Sequence, residues 1–333
     1  MEQDQNSQEQ WMLKFKNIIT AYTENRAPDP FMIWFRQRDS EGFFADDFER
    51  VLAILIDARF DQRTTAEKAL ENTVAVVNRG ALKRLVNRVE SPLLIPRENM
   101  TAEKWTDLFC SSLPRLHELA RRIVAERKWD AAELLDLMLR ELKVPYLGVK
   151  TSRLAVRWLH ELVPNLRIDM TTYKIPVDAL VYRVVCRLGI IDPNIDKYFG
   201  EDSPADLKIQ SFVKQVSPDK PWLLDEPLWS TGRRAINGGH CFPQHPNHNK
   251  CLFESVCLRR FLDIDPAQLG MNTRFRNRYI PSHREHVPRP EETAIKERQA
   301  QFAKFVEELK KKGITGEKYR EKITQWNREH QGK

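Results

Sequence analysis

Apolar residues along the chain recur mainly at intervals of three and four positions, which is the spacing of a helix face rather than of a strand. One such pattern follows Asp130, whose spacing from Glu133 predicts a capping-box start. The apolar face of this predicted helix consists of Leu134, Leu135, Met138, Leu139 and Leu142. Pro145 ends the helix, and Gly148 permits a tight turn after it.

Two further helices are predicted after that turn. The first begins at about Thr151, and the second follows Asp178, which stands at the N-cap position. The first buries Leu154, Ala155, Trp158, Leu159 and Leu162, and the second carries Leu180, Val181, Val184, Val185 and Leu188. No run of residues alternates convincingly as a strand does, so the sequence predicts an all-α fold.

Length and composition predict two domains, because 333 residues with an apolar share of 41% can bury two cores. Two amphipathic helices are also predicted near the C-terminus, and they are expected to pack on the body of the protein. Their apolar faces are Phe302, Phe305, Val306 and Leu309 in the first and Tyr319, Ile323 and Trp326 in the second.

The charge balance suits a polyanionic partner, although a solvated surface explains a mild excess equally well. Lysine and arginine exceed aspartate and glutamate by 7, and the pI is about 9.1. The polar N-terminus has neither the basic region nor the apolar region of a secretory signal peptide, and no uncharged stretch is long enough to span a membrane. The sequence therefore predicts a cytosolic or nuclear protein that is not secreted.

Three of the five cysteines lie within 17 residues, in the pattern C-x6-H-x2-C-x5-C. This spacing predicts one metal centre held by Cys241, His248, Cys251 and Cys257. Three thiolates and one imidazole suit either an iron–sulfur cluster or a closed zinc site. The alternative is a disulfide with one free thiol, and His240 and His245 are rival ligands.

The turn before Thr151 presents backbone N–H groups at a helix N-terminus, which is a natural phosphate site. Lys150 stands beside this turn, and Asp178 begins the next predicted helix. Each has an ordinary explanation by itself, since a lysine near a turn is usually solvated and aspartate is a common N-cap. Together with the cysteine pattern, the two residues indicate a functional site.

At these residues the chain resembles the helix-hairpin-helix DNA glycosylases of the endonuclease III and adenine-glycosylase type. The family pattern L-P-G-V-G-x-K-T-A matches "VPYLGVKTS", which places Lys150 on the catalytic lysine. The V-D motif at a helix start matches Val177 and Asp178, which places Asp178 on the catalytic aspartate. The four-cysteine iron–sulfur loop matches the metal pattern above, and the likeness spans roughly residues 45 to 262.

The resemblance implies a two-domain glycosylase fold with a helical C-terminal extension. Residues 11–50 and 178–262 form the metal-bearing helical domain in this interpretation, and residues 51–177 form a six-helix barrel that ends in the hairpin. Residues 1–10 are expected to be disordered, and residues 263–333 to hold a basic linker and the C-terminal helices.

This sequence departs from the family pattern in places that affect DNA contacts. Tyr146 replaces the first hairpin glycine, and His248 replaces the second cluster cysteine. The span from Lys150 to Asp178 is longer than in typical members. Tyr146, Gly148 and Thr151 of the hairpin are expected to contact DNA. Arg59 and Gln62 occupy the loop where family members often insert a glutamine into the duplex, so either is a candidate wedge.

A basic strip after the metal loop adds a second candidate DNA contact, through Arg274 and Arg276 with Phe275 interleaved. A solvated linker explains the same strip equally well. The implied partner is double-stranded DNA, with no membrane partner, and the protein is expected to be a monomer.

The implied activity is excision of a damaged, mismatched or modified base, with strand nicking by β-elimination through a Schiff base on Lys150. Asp178 is expected to stabilise positive charge at the sugar C1′. Attack by Lys150 requires that its pKa fall. A [4Fe-4S] cluster, or zinc in its place, then acts as a clamp. The alternatives are a non-catalytic DNA-binding module that recruits partners through its C-terminal helices and a zinc-stapled nuclease of another mechanism.

Overall fold

The structure is a computed structural model. It describes residues 2–25, 29–61, 66–78, 82, 92–93, 100–192, 195–196, 200–232, 241 and 250–258, together with positions 304–305, 307–308, 311, 322 and 325. The chain divides into two compact units, Met1–His283 and Arg284–Lys333. The predicted domain boundary within the first unit stays a prediction.

Helices make up most of the described part of the first unit, which confirms the predicted all-α class at this level. They are α1 (Glu2–Asn25), α2 (Pro30–Ser40), α3 (Asp47–Asp61), α4 (Ala66–Asn78), α5 (Ala102–Cys110), α6 (Leu113–Glu126), α7 (Ala131–Asp136), α8 (Val149–Leu162), α9 (Ala179–Leu188), α10 (Pro204–Val216) and α11 (Asp225–Gly232). Helix α1 begins inside the stretch 1–10 that was expected to be disordered. Glutamate and glutamine, which are good helix formers, dominate its start.

Two short strands depart from the expectation that the chain has no strand. They are β1 (Lys128–Asp130) and β2 (Arg167–Asp169), and they pair in parallel with Trp129 opposite Ile168. Each strand has three residues. This is too short for an alternating pattern to stand out in the sequence. The pair joins the end of α6 to the segment that follows α8.

Helix α3 is the central helix of the first unit, and α4, α6 and α8 all contact it. Every residue from Val51 to Asp61 is buried. The apolar residues along it, such as Leu52 and Ile56, each contribute roughly 1.5–3 kcal/mol by leaving water. Because neighbours enclose the helix on all sides, the polar side chains at its C-terminal end are held within the protein.

The predicted sequence of helix, tight turn and helix is present, with changes in detail. Asp130 caps α7 through a complete capping box with Glu133, as predicted. A π-helical segment, Leu137–Glu141, continues α7, and its i→i+5 bonding brings Leu137 into the buried face in place of Leu139. Helix α8 then begins at Val149, two residues before the predicted start.

The hairpin turn does not rely on Gly148 for its special backbone conformation. Gly148 has φ −86°, which any residue adopts, and it serves as the N-cap of α8. Lys143 and Tyr146 instead take the left-handed conformation, with φ 46° and 64°. The turn is therefore made by two residues that do not usually favour this region, and the conformational role expected of Gly148 was wrong.

Helix α9 follows the prediction closely. Asp178 is its N-cap, and Val181, Val184, Val185 and Leu188 are buried. Helix α11 packs on α9, and Gly232 allows this contact, because a Cβ there would lie 2.8 Å from Leu180 Cβ. At the other end of the unit, Trp11 of α1 donates to the Val256 carbonyl at 2.7 Å and so ties α1 to the cysteine segment.

In the second unit, every described position is helical. Phe305 is half-buried, and the other residues on the predicted apolar faces lie outside the described part of the chain. None of the described helices is long and apolar enough to cross a membrane.

Candidate active site

The structure brings Lys150 and Asp178 together at the starts of two successive helices. Lys150 lies in the first turn of α8, and its Nζ is 3.8 Å from Asp178 Oδ2. The two residues are 28 positions apart in the sequence, and the segment containing β2 leads the chain back to this point. About a third of the Lys150 side chain is exposed.

Asp178 is held firmly by the backbone of the helix that it begins. Its Oδ1 accepts hydrogen bonds from the Leu180 and Val181 N–H groups at 2.8 and 3.0 Å. Its other oxygen, Oδ2, faces Lys150. The aspartate therefore combines an ordinary N-cap role with a carboxylate oxygen oriented toward the amine.

Asp61, which the sequence reasoning did not single out, is the nearest partner of Lys150. Lys150 Nζ donates to Asp61 Oδ2 at 2.6 Å, and only 6% of the Asp61 side chain is exposed. Asp57, one turn earlier on α3, is also buried and accepts from Thr73 Oγ1 at 2.7 Å. An acidic pair four residues apart, directly after the apolar run of residues 51–56, is the signal that could have identified both residues.

A small cavity adjoins these residues, with a volume of about 30 Å³. It has room for about one water molecule, so a larger group enters only if the walls move. Its ionisable and aromatic lining residues are Asp29, Asp57, Asp61, Lys150, Arg157, Asp225, Glu226, Phe31, Trp158 and Trp229. Five carboxylates against two cations make this lining strongly acidic, with aromatic side chains beside it.

Electrostatics keep Lys150 protonated in this conformation. Burial alone would lower its pKa, but the charges of Asp61 and Asp178 outweigh burial and raise the pKa well above the usual value. The lowered pKa that attack by Lys150 requires is not present in this conformation, because its neighbours are anions rather than cations. Lys150 must therefore lose a proton before it can act as a nucleophile.

The cavity acids behave in the opposite way, because burial penalises their charged forms. Burial raises the pKa of Asp29 to about 6, against the opposing effects of the Phe31 N–H and Arg157. It also raises the pKa of Asp225 to about 6, although Arg157 Nη1 donates to Asp225 Oδ2 at 2.8 Å. Burial also raises the pKa of Asp57, against the opposing effect of its hydrogen bond from Thr73. Burial thus makes the charged forms of these acids less favourable than those of solvent-exposed aspartates.

The residues expected to contact DNA, from the hairpin and from the end of α3, differ in accessibility. Arg59 is fully buried, and its guanidinium lies between the rings of Trp105 and Tyr146, at 4.9 and 4.7 Å. This position does not support Arg59 as a wedge, since α3 is enclosed along its length. Thr151 is also buried and donates to the Gly148 carbonyl, so a DNA contact by its side chain is not supported either.

Tyr146 and Gly148 are both partly accessible at the hairpin surface. No side chain caps the N-terminus of α8, because its N-cap residue is Gly148. The first N–H groups of α8 thus have no acceptor within the helix. This is the local arrangement that the sequence predicted for a phosphate contact.

The three cysteines of the predicted metal site surround Arg187 of α9. Arg187 Nη1 donates to Cys241 Sγ at 3.3 Å, and Cys257 Sγ lies 3.6 Å from the Arg187 carbonyl. Burial raises the pKa of Cys251 to about 11, and the neighbouring Cys241 and Cys257 contribute in the same direction. All five cysteines are described and none forms a disulfide, so the disulfide alternative has no support.

The donor chemistry fits a thiolate-ligated centre in part. Three thiols lie together, and the guanidinium of Arg187 beside Cys241 offsets the negative charge that thiolates would carry. Within the described residues, no three His, Cys, Asp or Glu side chains have the arrangement of a metal site. The fourth predicted ligand, His248, lies outside the described residues, as do Gln62, Arg274 and Arg276.

The case for this site comes from the chain itself, because no family model and no curated protein matches it. The resemblance to helix-hairpin-helix glycosylases therefore has no independent support. What stands on geometry is the convergence of one amine and two carboxylates beside an acidic, aromatic-lined cavity.

Proposed function

We propose that this protein is a DNA glycosylase that excises a damaged, mismatched or modified base and then nicks the strand as an abasic-site lyase. The observation that carries the proposal is the 3.8 Å approach of Lys150 Nζ to Asp178 Oδ2 beside the cavity. Two groups from separate helices are thus close enough together to act on one deoxyribose carbon. A protein that only bound DNA would need neither group in this arrangement.

Asp178 acts on the charge that develops as the base leaves. Cleavage of the N-glycosidic bond leaves positive charge on C1′ and the ring oxygen, and a fixed carboxylate lowers the energy of that state. The two backbone N–H bonds to Oδ1 hold the carboxylate in place before the substrate arrives. Such preorganisation is the main source of electrostatic catalysis, since no reorientation is needed during the reaction.

Lys150 provides the covalent step after it has lost a proton. Its lone pair forms a bond to C1′ as the bond from C1′ to the base breaks, and the electron pair leaves with the base, which takes a proton from water. Nζ then loses a proton, its lone pair forms the C1′=N bond as the C1′–O4′ bond breaks, and O4′ takes up a proton, which gives the protonated Schiff base. Loss of a C2′ proton then expels the 3′ phosphate and nicks the strand.

Base access requires movement, because the cavity holds only about one water molecule. A target base would leave the stack and lie against the aromatic side chains of Trp158 and Trp229 as the walls separate. The N–H groups at the start of α8 would bind a backbone phosphate meanwhile. The basic strip with Arg274 and Arg276 is proposed to follow the DNA backbone farther away.

The cysteine segment is proposed to hold a [4Fe-4S] cluster, or zinc, through Cys241, Cys251, Cys257 and His248. Such a centre would position the neighbouring helices. The bond-breaking steps above are all carried out by Lys150, Asp178 and water. Brown protein with iron and sulfide in equal amounts indicates the cluster, and colourless protein with one zinc indicates the alternative.

The function is tested with duplex oligonucleotides carrying oxidised, deaminated, alkylated or otherwise modified bases, and with one carrying an abasic site. We expect release of at least one base and, on abasic DNA with borohydride, a covalent adduct. Lys150→Ala abolishes the adduct. Lys128→Ala, at an exposed lysine on β1, is the matched control and leaves the adduct intact.

The outcomes separate the alternatives. Base release without an adduct indicates a purely hydrolytic glycosylase. DNA binding with neither base release nor adduct indicates the non-catalytic binding module. Strand cleavage that requires added metal indicates a nuclease. Either of the last two results contradicts the proposed function.

A further inference from the structure

Lys150 is restrained more closely by Asp61 than by the carboxylate expected to share its chemistry. Nζ lies 2.6 Å from Asp61 Oδ2 but 3.8 Å from Asp178 Oδ2. We propose that Asp61 is a positioning residue that holds Lys150 as a paired ammonium and so limits the rate at which this lysine becomes a nucleophile. The inference rests on the proposed function for its effect on DNA, but its physical basis can be tested without DNA.

Asp61 is built to hold its position. It is the last residue of α3, the helix that α4, α6 and α8 enclose, and its side chain is 6% exposed. Lys150 is on a long, partly exposed side chain that can turn away. The lysine, rather than the aspartate, is therefore the partner that moves when the ion pair opens.

Asp178 is less suited to hold the amine. Its Oδ1 is bound by two backbone N–H groups of α9, and its Oδ2 is beyond direct hydrogen-bond distance from Nζ. Opening the Asp61 pair would leave Lys150 near a carboxylate that is directed at the substrate. The two acids therefore have separate tasks, because one restrains the amine and the other acts on the sugar.

The other charged groups around Lys150 do not replace Asp61. Asp225 of α11 is bound to Arg157, one of the two cations lining the cavity, and Arg157 also bonds to Glu226. Asp57 of α3 accepts from Thr73, and Asp29 accepts from the Phe31 N–H at the start of α2. Among the ion pairs of the described residues, those of Lys150 involve Asp61 and Asp178 alone.

Removing the Asp61 charge should therefore make Lys150 easier to deprotonate. Burial, which disfavours the ammonium form, would then be opposed mainly by Asp178. Each unit by which the pKa falls increases the neutral fraction about tenfold at any pH well below it. Asp61→Asn is nearly the same size and retains a hydrogen-bond acceptor, whereas Asp61→Glu retains the charge.

The first test measures the single-turnover rate of borohydride trapping on abasic DNA between pH 6 and 9. We expect Asp61→Asn to trap about ten times faster than the wild type near pH 7, with its rate profile displaced to lower pH. Asp61→Glu should keep the wild-type profile. A rate for Asp61→Asn that is lower than wild type at every pH would overturn the inference, because Asp61 would then be needed as a base.

The second test follows reductive methylation of Lys150 in the full-length protein without DNA, using mass spectrometry of the peptide that contains it. In the wild type, we expect the midpoint for Lys150, that is, the pH at which its methylation is half-maximal, to be higher than the corresponding pH for the exposed Lys128. In Asp61→Asn, the midpoint moves to lower pH. A wild-type midpoint for Lys150 below that of Lys128 overturns the inference. Because this comparison uses the wild type alone, the test stays decisive even if Asp61→Asn fails to fold.

The two tests distinguish failure of the inference from failure of the proposed function. If no form traps DNA but the Lys150 midpoint falls in Asp61→Asn, the restraint by Asp61 stands and the lyase proposal fails. If DNA is trapped but the midpoint is the same in both proteins, the lyase stands and the restraint by Asp61 fails.

Discussion

Two parts of α8 hold their basic side chains in different ways. Arg153 forms a two-pronged ion pair with Asp206 of α10, with both N–O distances 3.0 Å, and its side chain is 3% exposed. Arg157 is bound by Asp225, Glu226 and Glu161 and is equally buried. Lys150, in the first turn, is 31% exposed and has one close partner. All three lie on one stripe of the helix, at positions i, i+3 and i+7.

The difference separates structural ion pairs from a site that can change. A guanidinium matched to a carboxylate at two points is rigid, and a buried pair of this kind cannot lose a partner without a large cost. A lysine ammonium is a single point of charge on a flexible chain, and its pKa responds to its surroundings. The arginines thus fix where α8 lies, and the lysine at its start is left able to react.

The largest expected effect comes from removing the acidic partner of one of the two buried arginines. Asp206→Ala should lower the free energy of unfolding by about 3–5 kcal/mol, because it leaves the buried Arg153 with only the more distant carboxylate of Glu201, 3.6 Å away. Urea unfolding followed by circular dichroism measures the change. The matched control is Lys174→Ala, which removes the partner of the exposed Asp202 and should cost at most about 1 kcal/mol. Equal effects of the two substitutions would contradict the structural role of the Arg153 pair.

The next effect concerns Asp178, the carboxylate near Lys150, where a substitution should change the activity but leave the stability almost unchanged. Asp178→Asn keeps an N-cap acceptor but loses the charge, so we expect the excision rate to fall about 10²–10³-fold with little change in unfolding. The comparable N-cap substitution Asp130→Asn, at the start of α7, should leave the rate unchanged. Single-turnover base release and thermal unfolding measure the two properties. A loss of stability that matched the loss of activity would show Asp178 to be only a cap.

The smallest effect concerns Asp29, an acid that shares the cavity with Arg157. Its pKa in the folded protein is about 6, above the unfolded value of about 4, so the folded state binds more protons between these pH values. Stability from this group is therefore present at pH 4 and falls as the pH rises through 6. Asp29→Asn removes the titration, so its stability relative to wild type should rise by about 1–2 kcal/mol from pH 4 to 7. Urea unfolding across this range would contradict the account if the difference stayed flat.

Local signals in the sequence predicted the parts of the site that depend on neighbours in the chain. The capping box of Asp130 with Glu133 and the N-cap at Asp178 both follow from residue spacing. The same kind of reasoning placed Lys150 beside the hairpin turn. These features could be predicted because each is determined by residues that are close together in the sequence.

The parts that the sequence did not predict depend on tertiary contacts. Asp61 pairs with Lys150 across 89 positions, and nothing local indicates that distance. Arg153 and Arg157 interrupt the apolar face of α8 but are buried, because acids on α10 and α11 neutralise them. The left-handed turn falls on Tyr146 rather than on a glycine, where its ring packs against Arg59. In each case, tertiary contacts outweighed the usual preference of charged residues for the surface or of glycine for a left-handed turn.

The central claim is that the amine of Lys150 reaches the deoxyribose carbon. The most direct measurement is to trap the protein on abasic DNA with borohydride, digest both components, and locate the sugar remnant by mass spectrometry. The account predicts that the remnant is on Lys150. A remnant on any other amine, such as the exposed Lys143 of the hairpin or the N-terminus, would contradict it.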